Sequence, residues 1–451
     1  TLGGTNDKLD GITLNNIDAS GFGGYISLVY DTDDWTNSLR AQAIIGGGTI
    51  YDKVTATYDA AVTANAAYKV NTTAVETILA TFDSGNTGSE TYYFDVLKSD
   101  AGTIQLNTST SGNTVVNVVN IATNDGSQTF QLGGTAGDGF ANSSTANFSL
   151  TSTIATDTAL TVGLKDTDAA SGTIQIDAAG VENLTLDLFA NAENHQVDLA
   201  GVTPTTGSVG SVTVKGGLTG TLTVTNMGAS QTTLDGTASN SAITLAAASR
   251  TDSAMTITGS LVNDSLAMEN VADVMDGSTG TGDTLVVAYT GIIGGIVIDL
   301  SADDQVTNMD GASNSAIQKN FENVNVNAYT NFGASVTGTS KANTITGTPL
   351  NDTITGGNGA DTIIGNGGDD IVRLAETVSA ADTVTLAVAS SDTATISGFT
   401  MNTDIIDGDA SVATGNGTPA NTIMQAATNA AGAVAADIGT NLNVTKNMGA
   451  S

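Results

Sequence analysis

The chain has 451 residues with 53 Gly, 3 Pro, no Cys and a net charge of −34, and 40% of it is hydrophobic. Only 12 Lys and Arg leave no basic surface for a nucleic acid; the lack of Cys removes disulfides and thiolate metal sites. No apolar run approaches the length of about 18 residues that a membrane-spanning helix needs. Only seven of the 46 acidic residues are Glu, which leaves 39 Asp, the acid that favours turns and offers a short oxygen ligand.

Thr, Asn, Ser, Ala and Val dominate, and the pattern predicts an all-β dominated chain of short strands and polar turns. Residues 1–100 read as a small α+β region, because they hold seven of the nine Tyr (Tyr25, Tyr30, Tyr51, Tyr58, Tyr68, Tyr92 and Tyr93) and the single Trp, Trp35. Here TTAVETILATF (72–82) predicts a helix with Val75, Ile78, Leu79 and Phe82 on one face. Asp31, Asp33 and Asp34 form either a solvated acidic turn or a cation site.

Residues 101–260 read as a β-solenoid or β-sandwich, since VENLTLDLF (181–189), GSVTVKGG (210–217) and GTLTVTNMG (220–228) alternate with period two. The single histidine, His195, sits in a polar context and reads as a surface residue. GIIGGIVIDL (291–300) suits a buried strand, and Asp303 and Asp304 suit a surface turn. Residues 261–375 form the repeat region, and 376–451 a β cap. The cap has strands near 383–388 and 394–399 and an Ala-rich candidate helix at 421–437.

The most informative segment runs from Gly338 to Arg373, where the chain repeats every nine residues: GTSKANTIT, GTPLNDTIT, GGNGADTII and GNGGDDIVR. Each unit opens on Gly, carries Asn or Asp at its sixth position and an aliphatic residue at its eighth. The spacing fits the glycine–aspartate nonapeptide of calcium-binding parallel β-helices. Hard oxygen ligands without nitrogen or sulfur suit Ca²⁺. If two units make one coil, Asn343 stacks on Asp361 and Asp352 on Asp370, while Ile345, Ile354, Ile363 and Val372 fill the interior. Those four polar residues are the primary candidate ligands. Turn residues Gly356, Gly357, Gly359, Gly365, Gly367 and Asp369 complete the candidate metal set with backbone carbonyls. The last two units are near-ideal, whereas the first two carry Thr, Ser, Lys or Pro where glycine is expected.

These units resemble the RTX repeats of proteins exported by type I secretion from Gram-negative bacteria. The resemblance implies a parallel β-roll that is disordered without calcium in the cytoplasm and folds outside the cell. Weaker echoes extend it. GSLVNDSL (259–266) offers Asp264, and DGSTGTGDTL (276–285) offers Asp276 and Asp283. FENV (321–324) is echoed by VENL (181–184), and LGGTNDKL (2–9) resembles a shortened turn. ATISGFTMNTDIID (394–407) resembles the segment that closes such a roll, which makes Asp404, Asp407 and Asp409 further candidate ligands.

An enzyme is not expected. One His excludes the HExxH zinc helix, no nucleophile elbow occurs, and nothing singles out a carboxylate pair. Over most of its length the composition resembles secreted surface-layer proteins of Gram-negative bacteria. That resemblance implies an extracellular structural protein, with calcium rigidifying its domains and bridging acidic faces of copies in a lattice. Lipopolysaccharide or a surface polysaccharide would be held through a region not recognisable here. An adhesin recognising glycans is the alternative, and the secretion module of an enzyme is a third reading. No signal peptide is visible at Thr1, and the missing initiator Met points to processing or to a piece of a longer polypeptide.

Overall fold

The computed structural model describes residues 16–408 together with 441–445, apart from 19–26, 31–42, 47–51, 59–66, 83–88, 152–157, 166–172, 247–252 and several shorter segments. The chain forms two compact units, Thr1–Ser253 and Ala254–Ser451. Among the described residues every regular element is a strand, and no helix is long and apolar enough to cross a membrane.

In the first unit each coil of chain contributes one strand to each of two facing parallel sheets. One sheet stacks Lys53–Tyr58, Thr77–Phe82, Thr103–Thr108, Asp125–Leu132, Ala159–Leu164, Asn183–Leu188 and Gly210–Gly216 in order. The alternation read from the sequence becomes columns. Val54, Ile78, Ile104, Phe130, Val162, Leu186 and Val214 lie in register, each 3% exposed or less. Beside them, facing outward, runs a column from Thr77 through Thr103, Thr129, Thr161 and Thr185 to Thr213. Full burial of each aliphatic side chain contributes about 1.5–3 kcal/mol, so the inward column is the main source of cohesion.

The second sheet supplies the opposite wall through Tyr68–Thr73, Glu90–Ser99, Thr114–Ile121, Thr145–Leu150 and Ile174–Ala179. Aromatic rings fill the space between the walls. Tyr58 meets Tyr68 at 4.3 Å and Phe94 at 5.7 Å between centroids, and Phe130 meets Phe148 at 5.1 Å. The aromatic-rich N-terminal segment is therefore part of the same solenoid.

The helix expected over 72–82 is not formed. Tyr68–Thr73 and Thr77–Phe82 are strands, and Ala74 between them takes a left-handed conformation with φ 55, which no helix tolerates. Ile78, Ala80 and Phe82 point inward while Thr77, Leu79 and Thr81 do not. Ile78 and Phe82 fit both periods; Ala80 inside and Leu79 outside decide for the strand. His195 is also not a surface residue. It opens the strand His195–Asp198 on the inward phase, is 3% exposed, and pairs in register with Leu222.

In the second unit the coils tighten. One sheet stacks Ser265–Met268, Thr284–Val287, Asn323–Asn325, Thr344–Thr346, Thr362–Ile364, Thr383–Leu386 and Ile405–Gly408, all parallel. The facing sheet stacks Ile296–Asp299, Ala334–Thr337, Thr353–Thr355, Asp370–Arg373 and Thr393–Ser397. Asn441–Thr445 then pairs antiparallel with Thr393–Ser397 and covers that edge. Thr256–Thr258 pairs in parallel with Val274–Asp276, which pairs in parallel with Gln318–Lys319. Within 291–300 the strand Ile296–Asp299 is only half-buried, with Val297 39% exposed, while Asp303 and Asp304 lie in a turn. The Ala-rich stretch at 421–437 and the echo at 2–9 lie outside the described residues.

Candidate metal centre

The four nonapeptides alternate between the two walls of the roll. Thr344–Thr346 pairs with Thr362–Ile364, and Thr353–Thr355 with Asp370–Arg373. Ile345 therefore stacks on Ile363 and Ile354 on Val372, all four 0% exposed, as the nine-residue phase requires. The six-residue turns between strands lie along two edges, and adjacent turns on one edge are 18 residues apart.

Along each edge the sixth-position residues are joined into a ladder. Asn343 donates its backbone N–H to Asp361 Oδ1 at 2.9 Å, and Asp352 donates to Asp370 Oδ1 at 3.0 Å. The first ladder is longer than the repeats. Asp361 donates to Asp382 Oδ1 at 2.9 Å, and Asp382 to Asp404 Oδ1 at 3.2 Å. On the other side of the repeats, Asp264 donates to Asp283 Oδ1 at 2.7 Å and Asp283 to Glu322 Oε2 at 3.1 Å. Each rung satisfies a buried amide that would otherwise cost about 1–3 kcal/mol.

Glu322 and Asp382 are rungs that the sequence did not single out. Glu322 belongs to FENV, and its echo VENL places Glu182 in the same role, accepting from the amide of Thr158 at 3.1 Å and of Thr205 at 2.8 Å. Burial alone would raise the Glu182 carboxyl, but these bonds hold it below its ordinary value. Glu76 repeats the arrangement by accepting from the Asp52 amide at 2.6 Å. An acid before a strand, receiving the amide one coil back, was the signal available in those echoes.

The turns themselves are of two kinds. In Gly259–Asp264, Gly338–Asn343 and Gly347–Asp352 the second residue is Ser260, Thr339 or Thr348, and it closes on the sixth. Thr348 donates its amide to Asp352 Oδ2 at 2.7 Å and its hydroxyl to Oδ1 at 2.8 Å; Ser260 engages both oxygens of Asp264 in the same way. Thr339 donates its amide to Asn343 Oδ1 at 2.6 Å. In Gly356–Asp361 and Gly365–Asp370 the second residue is Gly357 (φ 103) or Asn366 (φ 61), in the left-handed region that Gly and Asn tolerate. No hydroxyl can then fold back on the carboxylate. Space is tight: a Cβ on Gly356 would lie 2.5 Å from Asp361 Oδ2.

Among the described residues no three acidic or histidine side chains converge on a point that could hold a metal ion. A bound cation would accordingly take one carboxylate from a turn and complete its shell with backbone carbonyls, a donor set that suits Ca²⁺. Burial pushes the Asp352 carboxyl up to about 6. Burial also raises Asp283, and with the nearby charges of Asp264, Glu322 and Asp276 its carboxyl reaches about 7.

The other expected ligands separate. Asp264, Asp283 and Asp404 are ladder rungs, and all three are buried. Asp369 is exposed beside buried Asp370, and its amide donates to Asn351 Oδ1 at 2.8 Å. Asp276 lies off the ladder and is held by the Ser278 amide, Asn320 and Lys319. Burial would raise its carboxyl, yet these partners hold it below its ordinary value. Asp407 lies on Ile405–Gly408, opposite Thr385. Asp31, Asp33, Asp34 and Asp409 fall outside the described residues.

Facing parallel sheets with stacked acidic turns define a β-roll of the calcium-binding class. Comparison with protein families agrees: the RTX calcium-binding nonapeptide repeat matches residues 337–372 in four copies. The repeats are calcium-binding, and proteins that carry them are typically secreted. Searches of curated proteins and of solved structures found no match.

Proposed function

We propose that this chain is a calcium-dependent extracellular structural protein that assembles into a bacterial surface layer. In this reading Asp361 and Asp370, on the two glycine-rich turns, are the carboxylates that hold calcium, with turn carbonyls around them. Asn343 and Asp352 line the neighbouring turns, already engaged by Thr339 and Thr348. The ion supplies the positive charge that lets stacked acidic turns approach. No catalytic role is assigned to any side chain.

The observation that carries the proposal is the ladder of buried carboxylates in a chain of net charge −34 whose described elements are all scaffold strands. Repulsion of that size opposes both folding and association. A divalent ion shared between acidic surfaces of two copies reverses it, whereas a monovalent ion only screens. Lipopolysaccharide or a surface polysaccharide is the proposed anchor.

Electron microscopy of the purified chain in millimolar calcium and in chelator tests the proposal. Ordered sheets or tubes only with calcium are the expected result. Folded, monodisperse particles in calcium overturn self-assembly and move the reading to a glycan-binding adhesin.

A further inference from the structure

Outside the four matched repeats, the turn between the strands Val274–Asp276 and Thr284–Val287 is one residue longer than the glycine-rich turns and shares with them a left-handed residue after its opening glycine. Its second residue, Ser278, takes φ 76, in the same region as Gly357 at 103 and Asn366 at 61. A serine accepts that conformation only at a cost in backbone strain, and there its amide donates to Asp276 Oδ1 at 2.9 Å. It does not close on Asp283 as Ser260 closes on Asp264.

The consequence appears at Asp283. The residue is 0% exposed, its Oδ1 accepts from the Asp264 amide, and its Oδ2 is buried with no hydrogen-bond partner. That oxygen is aimed into its own turn, where a Cβ added to Gly280 would lie 2.3 Å from it. A buried carboxylate oxygen without a donor costs several times a normal hydrogen bond unless a proton or a cation meets it. Asp264, Asp276 and Glu322 lie close enough to act on its charge, and every one of them adds negative potential. Lys319, the nearby base, is paired with Asp276 at 3.1 Å.

We infer that the turn Gly277–Asp283 is an additional divalent-cation site, with Asp283 Oδ2 as its carboxylate ligand and turn carbonyls as the remainder. The preceding turn, Gly259–Asp264, is not such a site, because Ser260 engages both oxygens of Asp264. The two turns thus differ at their acid: a hydroxyl that folds back satisfies Asp264 internally, and none meets Asp283 Oδ2. The inference rests on the calcium reading of the nonapeptides and extends it to a turn they do not include.

Calorimetric titration of the full chain with Ca²⁺ tests it, comparing wild type with Asp283→Asn and Asp370→Asn. Each substitution is expected to lower the stoichiometry by one ion. Loss of an ion in Asp370→Asn but not in Asp283→Asn overturns the inference and leaves the repeat reading standing. No calcium binding by the wild-type chain overturns both. If Asp283→Asn does not fold, crystals of the unmodified chain soaked in Tb³⁺ decide. An anomalous peak beside Asp283 Oδ2 supports the site, and peaks at Asp361 and Asp370 alone overturn it.

Discussion

The backbone amide of Asp352 donates to the carboxylate of Asp370, 18 residues later, at 3.0 Å. This bond makes Asp370 two things at once: a candidate calcium ligand and the acceptor for a buried amide in the coil before it. Substitution therefore acts with and without metal. Asp370→Ala is expected to destabilise the calcium-free chain by about 1–3 kcal/mol through the orphaned amide. Asp370→Asn keeps an acceptor oxygen and loses the charge, so its deficit should appear mainly in calcium. Urea unfolding of both variants in chelator and in calcium checks the split; equal deficits for both in chelator would count against it.

Calcium removal should be felt unevenly. An ion that binds only the folded state at 100 times its dissociation constant adds about 2.7 kcal/mol per site. The nonapeptide strands, Thr344–Thr346 to Asp370–Arg373, carry only three or four residues and one fully buried aliphatic each, less than the six-residue strands of the first unit. Their amides should exchange with solvent much faster in chelator, while Thr77–Phe82 and Asn183–Leu188 in the first unit should change little. Uniform acceleration across both units would contradict a role confined to the roll.

The interior of the roll gives a cleaner energetic test. Ile363 is 0% exposed and stacks on Ile345, whereas Ile371 is 40% exposed on the next strand, in the facing sheet. Ile363→Ala should cost about 2–5 kcal/mol. Ile371→Ala, which empties no cavity, should stay within about 1 kcal/mol. Thermal unfolding in saturating calcium compares them, and similar losses would mean that the inward column does not hold the roll.

The nonapeptides were legible because their period is local. Nine residues fix both the inward aliphatic and the turn acid, so Ile345, Asn343 and their partners followed from spacing alone. The first unit lacks that regularity: successive coils separate Lys53 from Thr77 but Thr129 from Thr161, a gap eight residues wider. No fixed period then reveals that Glu76 or Glu182 receives an amide from the coil before. Length limited the rest. Over six residues, Ile78 and Phe82 satisfy a helical face as well as a strand, and over four residues His195 shows no burial pattern. The difference between Ser260 and Ser278 was not legible either, because the same residue follows the opening glycine in both turns and only the backbone conformation, φ 76 at Ser278, shows where its amide goes.

Buried His195 gives the pH prediction. Burial lowers its pKa from 6.5 to about 4, so the folded chain holds the neutral ring. Between those values the unfolded chain binds the proton and the folded chain does not, so stability falls as pH falls. The contribution is intact above pH 6.5 and has dropped by about 2 kcal/mol at pH 5. Carboxylates titrate over part of the same range, so wild type alone cannot isolate the effect. His195→Gln removes the titration while keeping a polar side chain at the position. The stability difference between variant and wild type, measured by urea unfolding at fixed calcium, should move by about 2 kcal/mol in favour of the variant between pH 7 and pH 5. A difference that stays flat across that interval would show that His195 is protonated in the folded chain or reached by water.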